Sequence, residues 1–308
     1  MPTPNDPHDK LFKATFSEKD VAIDFIKSFL PDSIQEKIYM ESLKLEPVSY
    51  VNPTLSGFYS DVVYSCFFGK TAVQIVILFE HKSYIEQYPH LQLLRYMVEA
   101  WFQMIGQNET LKPIIPIIFY HGKDSWVYKP FESYFEKLDS SLSAFIPSFN
   151  YLLTNIGNLT DNQLEEMHIG VLQQALFLFK HGKDSSYMFH HFQELFRGLE
   201  PYSQSNQYTS LIISFAVYIL AVSGIPKETF VNLVQSLPTS INEQIMNTYK
   251  QIVNEGRIEG RIEGKIEQQN QVIVQGVKNG LSLELISKLA DLSLEEVKAR
   301  IHSLGIEL

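Results

Sequence analysis

The chain has 308 residues, 45% of them apolar and 19% charged, enough to bury a core and too apolar for wholesale disorder. Its 25 Lys+Arg against 35 Asp+Glu leave a net charge of -10, the wrong sign for a protein that coats nucleic acid. A catalytic site acting on DNA stays open, because the ligands of hard divalent metals are carboxylates. The single cysteine, Cys66, excludes internal disulfides and Cys-rich zinc sites.

The opening Met-Pro-Thr-Pro-Asn-Asp-Pro has no basic run leading into an apolar segment, so no signal peptide is expected. The longest membrane-like stretch, Leu211–Val222, has 12 residues, short of the ~18–20 that span a bilayer. It reads as a buried helix, and the protein is expected in the cytoplasm, away from membranes.

Residues 8–30 read as helical. Leu11, Phe12, Thr15 and Phe16 share one face, and Ser17 with Asp20 resembles the cap of a second helix. Residues 41–68 turn to short runs of β-branched and aromatic residues. After a turn at Gly69-Lys70-Thr71, Ala72–Lys82 reads as a long apolar strand. Pro89–Ile105 reads as a helix with Pro89 in its first turn and an apolar stripe of Leu91, Leu94, Val98, Trp101, Phe102 and Ile105. Ile114–Tyr120 is another apolar strand, closed by His121-Gly122. This order predicts an α/β domain with a central mixed sheet flanked by helices over residues 1–158.

From 159 to 254 the periodicity is helical throughout: Asn162–Lys180, Ser185–Leu199, Gln207–Ser223, Lys227–Leu237 and Ser240–Asn254. Residues 255–270 begin with a repeat, EGRI-EGRI-EGKI. On a helix it would stack Gly256, Gly260 and Gly264 in one column and Ile258, Ile262 and Ile266 in another. Each glycine costs ~1 kcal/mol relative to alanine, so the segment is either a helix that needs a neighbour or a solvated linker. Residues 271–308 read as a small helix-turn-helix-like tail of three short helices. Ser293 and Glu296 cap the last, and Leu283, Ile286, Leu289, Val297 and Ile301 form its core. Acidic residues outnumber basic ones there, which favours association over DNA binding.

The chemistry concentrates at Asp61 and at Glu80-His81-Lys82. Alternation along a strand turns Glu80 and Lys82 to one face and His81 to the other. A hairpin through the 69–71 turn would bring Asp61 beside Glu80. Two carboxylates suit Mg²⁺, which takes one or two of them plus water and phosphate, and a neighbouring lysine can stabilise developing charge. The competing reading is a surface salt bridge between Glu80 and Lys82. On the next helix Gln92, Arg95 and Tyr96 share a face. Asp9 opens the first helix, where a cap or a pair with Lys13 explains it equally well. His190 and His191 are adjacent on a predicted helix and cannot share a metal at i,i+4 spacing.

HDKLFKATF, YSDVVY, LFEHKS, QLLRYMVEAW, PIIPIIFYHG with Trp126 after it, the EGRIEGRIEGK repeat and GLSLELISKLADLSLEEV follow one another in this order. In that set the chain resembles the Rpn family of recombination-promoting nucleases and transposase-like proteins, within the PD-(D/E)XK superfamily. The resemblance implies a restriction-endonuclease-like α/β fold and DNA cleavage dependent on Mg²⁺, with Mn²⁺ or Ca²⁺ as substitutes. It implies Asp61 and Glu80 as metal ligands, Lys82 as the catalytic lysine and Gln92 as an assisting residue. Ser60 stands where the superfamily's name has proline, which is not a ligand. The expected partners are DNA and a second copy of the chain, a dimer formed through the C-terminal region. The alternative is a non-enzymatic recombination accessory or oligomerisation protein on a nuclease fold.

Overall fold

The structure, a computed structural model, describes residues 6–46, 62–69, 73–167 and 170–306. It has two compact units, Met1–Ile245 and Met246–Leu308. Residues 47–61, with Asp61 among them, Lys70 and Thr71 of the expected turn and Ala72 of the expected strand lie outside the described residues.

The first unit opens with α1 (Pro7–Phe16), α2 (Lys19–Phe29) and α3 (Asp32–Gln35). Asp6 starts α1 by accepting from the His8 amide, and Leu11, Phe12, Thr15 and Phe16 bury the predicted face. The expected Ser17 cap of α2 is absent: Glu18 is the N-cap, with no side-chain bond. Only two residues link these helices, and the Ser17 amide is spent closing α1 on the Lys13 carbonyl.

The sheet follows: β1 (Lys44–Leu45), β2 (Val62–Phe68), β3 (Val73–Lys82), then α4 (Pro89–Gly106), β4 (Ile114–Tyr120) and β5 (Leu152–Asn155). Its order is β1-β2-β3-β4-β5. β1–β2 and β2–β3 are antiparallel, whereas β3–β4 and β4–β5 are parallel. The sheet is therefore mixed, as the alternation of elements predicts, and α4 is the crossover that parallel pairing of β3 with β4 requires. β5 is an addition to the sequence reading. Four residues show no alternation of their own and become a strand only by pairing with β4.

One face of the sheet is covered by α1 and α2, with α6 (Gly170–His181) and α8 (Asn206–Val222) of the helical region packed on them. There Phe12, Phe16, Phe25, Phe79, Phe119 and Phe179 interlock, with ring centroids 4.7–6.5 Å apart. On the other face α4 buries His90, Leu93, Tyr96, Met97 and Met104. This corrects the stripe read from the sequence: Phe102 is 69% exposed, and Leu91 and Ile105 are exposed too. The helix is apolar on two sides. Its polar-tipped side, with His90, Gln92 and Tyr96, meets the sheet because partners wait for it there.

The helical region comprises α5 (Asp161–Glu165), α6 (Gly170–His181), α7 (Ser185–Arg197), α8 (Asn206–Val222) and α9 (Lys227–Gln235). The segment read as one helix from Asn162 is split in two. A Thr160–Gln163 capping box starts α5, and α6 begins afresh at Gly170. α8 is the apolar Leu211–Val222 segment, and among the described residues no helix is long and apolar enough to cross a membrane.

α10 runs unbroken from Thr239 to Lys278, followed by α11 (Leu283–Ala290) and α12 (Leu294–Ser303). The glycine repeat is thus helix rather than linker, and the first helix expected in the tail is the end of α10. Nothing lies within 4 Å of a Cβ placed at Gly256, Gly260 or Gly264. Ile262 is 54% exposed, and Ile258 and Ile266 are exposed beside it. The second unit's core is Ile273, Ile286, Ala290, Val297 and Ile301. Leu289, expected inside, is exposed. Gly276 permits the closure of α11 on α10, since a Cβ there would run into the Ile286 side chain.

Candidate active site

β3 decides the site by its period of two. Glu80 pairs across the sheet with Ile118 and Lys82 with Tyr120. These four side chains share the face covered by α4. Both charges are buried, Glu80 at 2% exposure and Lys82 at 7%. The Lys82 Nζ lies 2.9 Å from Glu80 Oε1. A surface salt bridge is therefore excluded, and the pair is a desolvated one.

α4 brings the third member. Gln92 Nε2 donates to the same Glu80 Oε1 at 2.8 Å and lies 2.5 Å from the Tyr96 hydroxyl, four residues along the helix. Glu80 Oε1 thus has two donors. Its second oxygen, Oε2, is buried and has no hydrogen-bond partner among the described residues. Burial pulls the Lys82 ammonium toward lower pKa, but the charge and hydrogen bond of Glu80, then Tyr84 and Glu86, outweigh it and leave the group above its ordinary value. Lys82 accordingly carries its positive charge at neutral pH in this pair.

A buried carboxylate oxygen with no donor is what a hard cation requires. Among the described residues no cluster of three or more His, Cys, Asp or Glu side chains is placed to hold a metal. Mg²⁺ does not need one, since water and substrate phosphate fill most of its positions. The chemistry of Glu80 fits such an ion, and Asp61, the second expected ligand, lies outside the described residues.

The opposite face holds His81, whose Nδ1 is 3.2 Å from Asp9 Oδ1. Asp9 is thereby engaged away from Glu80 and Lys82. His81 stacks on His121 with centroids 4.7 Å apart, and His8 packs against both. His8 Nδ1 meets the Tyr218 hydroxyl at 3.0 Å. Burial, then the charges of Lys183 and His81, lowers the His8 pKa to about 4; burial, then His81, His8 and Lys183, lowers that of His121 to about 2. Sequence reading missed this trio, because its members are far apart in the chain and each alone looks ordinary. Tyr120-His121-Gly122 is the end of β4, tied back by the His121 amide on the Lys82 carbonyl at 3.1 Å. His190 and His191 each turn Nδ1 to a carbonyl of their own helix.

The fold and this constellation define an α/β protein whose mixed sheet carries a buried acid–lysine pair on the strand entering a parallel crossover. Its family is plain from the sequence comparison: the chain belongs to the family described as "Putative transposase, YhgA-like", whose model matches residues 6–210. Among curated proteins it is 33% identical over 125 residues to the recombination-promoting nuclease RpnD of Escherichia coli O157:H7, covering 40% of this chain and 48% of that protein. It is 34% identical over 120 residues to the recombination-promoting nuclease RpnA of E. coli K12, covering 39% and 41%. It is 31% identical over 124 residues to the inactive recombination-promoting nuclease-like protein RpnE of the same strain, covering 40% and 42%. The chain thus spans less than half the length of these curated relatives. No solved structure matches it.

Proposed function

We propose that the protein is a divalent-metal-dependent DNA endonuclease, with Glu80 and Asp61 as metal ligands, Lys82 as charge stabiliser and Gln92 as the residue that orients Glu80. The observation that carries this reading is the buried Glu80–Lys82 pair with Glu80 Oε2 left without a donor. A buried ion pair is a poor device for stability alone, so a pair placed here points to chemistry. The names of RpnD and RpnA supply the reaction class and DNA recombination as its setting.

Mg²⁺ bound at the carboxylates would polarise the scissile phosphate and acidify a water molecule. Gln92 and Lys82 both hold Oε1, which would leave Oε2 for the cation. The Lys82 ammonium has three donors. One is on Glu80, and the others would be available to charge developing on the phosphate.

Purified protein nicking a supercoiled plasmid with Mg²⁺, Mn²⁺ or Ca²⁺, and not with EDTA, is the expected result. Equal nicking by Lys82→Ala, or none with any of the three metals, overturns the reading. The second outcome favours the alternative of a non-enzymatic DNA or recombination accessory protein, for which the name of RpnE gives a precedent. The chain is further proposed to self-associate through the exposed Gly and Ile columns of α10 and the helices that follow. Light scattering should show a dimer or larger assembly for the full chain and a monomer for a chain ending at Asn254. A monomeric full chain removes the idea.

A further inference from the structure

The loop leaving β3 and the long loop following β4 enclose a cleft of about 530 Å³, within the ~300–1,000 Å³ of small-molecule pockets. Four of its lining side chains are aromatic: Tyr88, Trp126, Tyr134 and Tyr151. Tyr88 and Tyr134 meet edge to face, with centroids 5.4 Å apart. Trp126 and Tyr151 are buried. The Tyr151 hydroxyl proton has no acceptor among the described residues, the indole N–H of Trp126 being a donor only. Behind the cleft the His90 ring packs 4.9 Å from Tyr151, and its buried Nε2 also has no hydrogen-bond partner among the described residues. Buried polar atoms of this kind ordinarily find one. The cleft is a set of flat rings with an unmet hydrogen-bond donor, suited to a planar ligand that carries acceptors.

Its position ties it to the candidate active site. Lys82 Nζ lies 5.4 Å from the centroid of the Tyr84 ring. The Tyr84 hydroxyl donates to Glu86 at 3.5 Å, and Glu86 lines the cleft. From inside, Tyr96, Trp126 and Tyr151 belong to one buried cluster, and Tyr96 backs the Gln92 that holds Glu80.

Charge chooses the part of the ligand. With a net charge of -10 the protein is poorly equipped to gain affinity from phosphates. Glu86 and Glu136 outnumber Lys129 among the charged lining residues, so the cleft disfavours a phosphate and accepts from exocyclic amino groups. Aromatic stacking gives affinity for any base and depends little on salt. We infer that the cleft receives one unstacked base of the DNA strand entering the site, held against Tyr88, Tyr134 and Trp126 with Tyr151 donating to its edge. The inference takes its substrate from the nuclease reading but needs neither metal nor cleavage. Unstacking costs least in single-stranded or mismatched DNA, so these are the preferred substrates.

The test uses the full chain carrying Trp101→Phe, which leaves Trp126 as the single tryptophan of the two. A single-stranded oligonucleotide is titrated in EDTA while Trp126 fluorescence is read, beside an abasic strand of the same length. The normal strand should quench Trp126, and the abasic strand should bind at least about fivefold more weakly without quenching. Tyr88→Ala, at an exposed position, should weaken the normal strand about five- to hundredfold. Tyr151→Phe should weaken it less. Equal affinity for the two strands, or unchanged affinity in Tyr88→Ala, overturns the inference. Since no metal is present, a failure of plasmid nicking leaves this titration readable, and a failure here leaves the nicking result standing.

Discussion

Consecutive residues of β3 lead opposite lives. Glu80 and Lys82 face α4 and keep their charges in a buried pair. His81, between them, faces α1 and joins His8 and His121 in a packed trio. Both faces are dry, so solvent does not separate them. What differs is how charge is handled. On the α4 face each charge neutralises the other, whereas on the α1 face burial and mutual proximity hold His8 and His121 neutral. The period of two lets one strand carry a candidate site on one face and a core on the other.

The largest expected effect breaks this comparison at the charged pair. Lys82→Ala should lower DNA cleavage on the order of a thousandfold. Lys82→Arg should fail as well, because a planar guanidinium does not replace a compact ammonium. His81→Phe, one residue away on the other face, should keep cleaving. Plasmid nicking under one metal concentration compares all three, and loss of cleavage in His81→Phe with the fold intact would show that the faces are coupled.

Stability should move next. The structure supplies Glu80 with a buried cation in Lys82. Glu80→Gln strands a buried ammonium and should cost about 3–5 kcal/mol in urea denaturation. The double variant Glu80→Gln/Lys82→Met removes both charges and should recover most of that loss while remaining inactive. Equal stability of the single and double variants would mean that the pair is solvated.

The histidine face should show itself as acid sensitivity. His8 is a base whose folded pKa, about 4, lies below its ordinary 6.5. Between these values the unfolded chain binds more protons, so stability is full above pH 6.5 and falls as pH drops toward 4. His8 alone should contribute about 3 kcal/mol to that fall, and His121, lowered to about 2, extends it further into acid. His8→Gln, which can still bond the Tyr218 hydroxyl, should flatten the dependence between pH 6.5 and 4. An unchanged slope would remove His8 from the account.

The same contrast explains what the sequence could tell. β3, β4, the start of α4 at Pro89 and the Glu80–Lys82 pairing on one face were legible because alternation, apolar runs and proline chemistry are local. The burial of α4 was not, because that helix offers two apolar sides and the choice belongs to its partners. β5 and the aromatic cleft were hidden for a similar reason. Their residues, such as Trp126 and Tyr151, acquire meaning only when a long loop folds back on β4. The 40-residue α10 was obscured by its glycines, whose local cost is offset by continuous helix on both sides.

The smallest effect concerns Gln92, which joins the charged pair to the helix. Its amide donates to Glu80 Oε1 and meets the Tyr96 hydroxyl, so it holds the proposed ligand without itself carrying charge. A hydrogen bond to a charged group is worth about 1.5–3 kcal/mol. Lys82 still holds the same oxygen, so only part of that orientation is lost. Gln92→Ala should therefore cost about tenfold in cleavage at limiting Mg²⁺. A residue that acts by orienting a metal ligand should raise the half-saturating Mg²⁺ concentration and regain rate at high Mg²⁺. One that touches the reacting phosphate would lower the rate at every Mg²⁺ concentration. A metal titration of cleavage by Gln92→Ala beside the parent separates the two, and a deficit that persists at saturating Mg²⁺ would move Gln92 from positioning residue to catalytic residue.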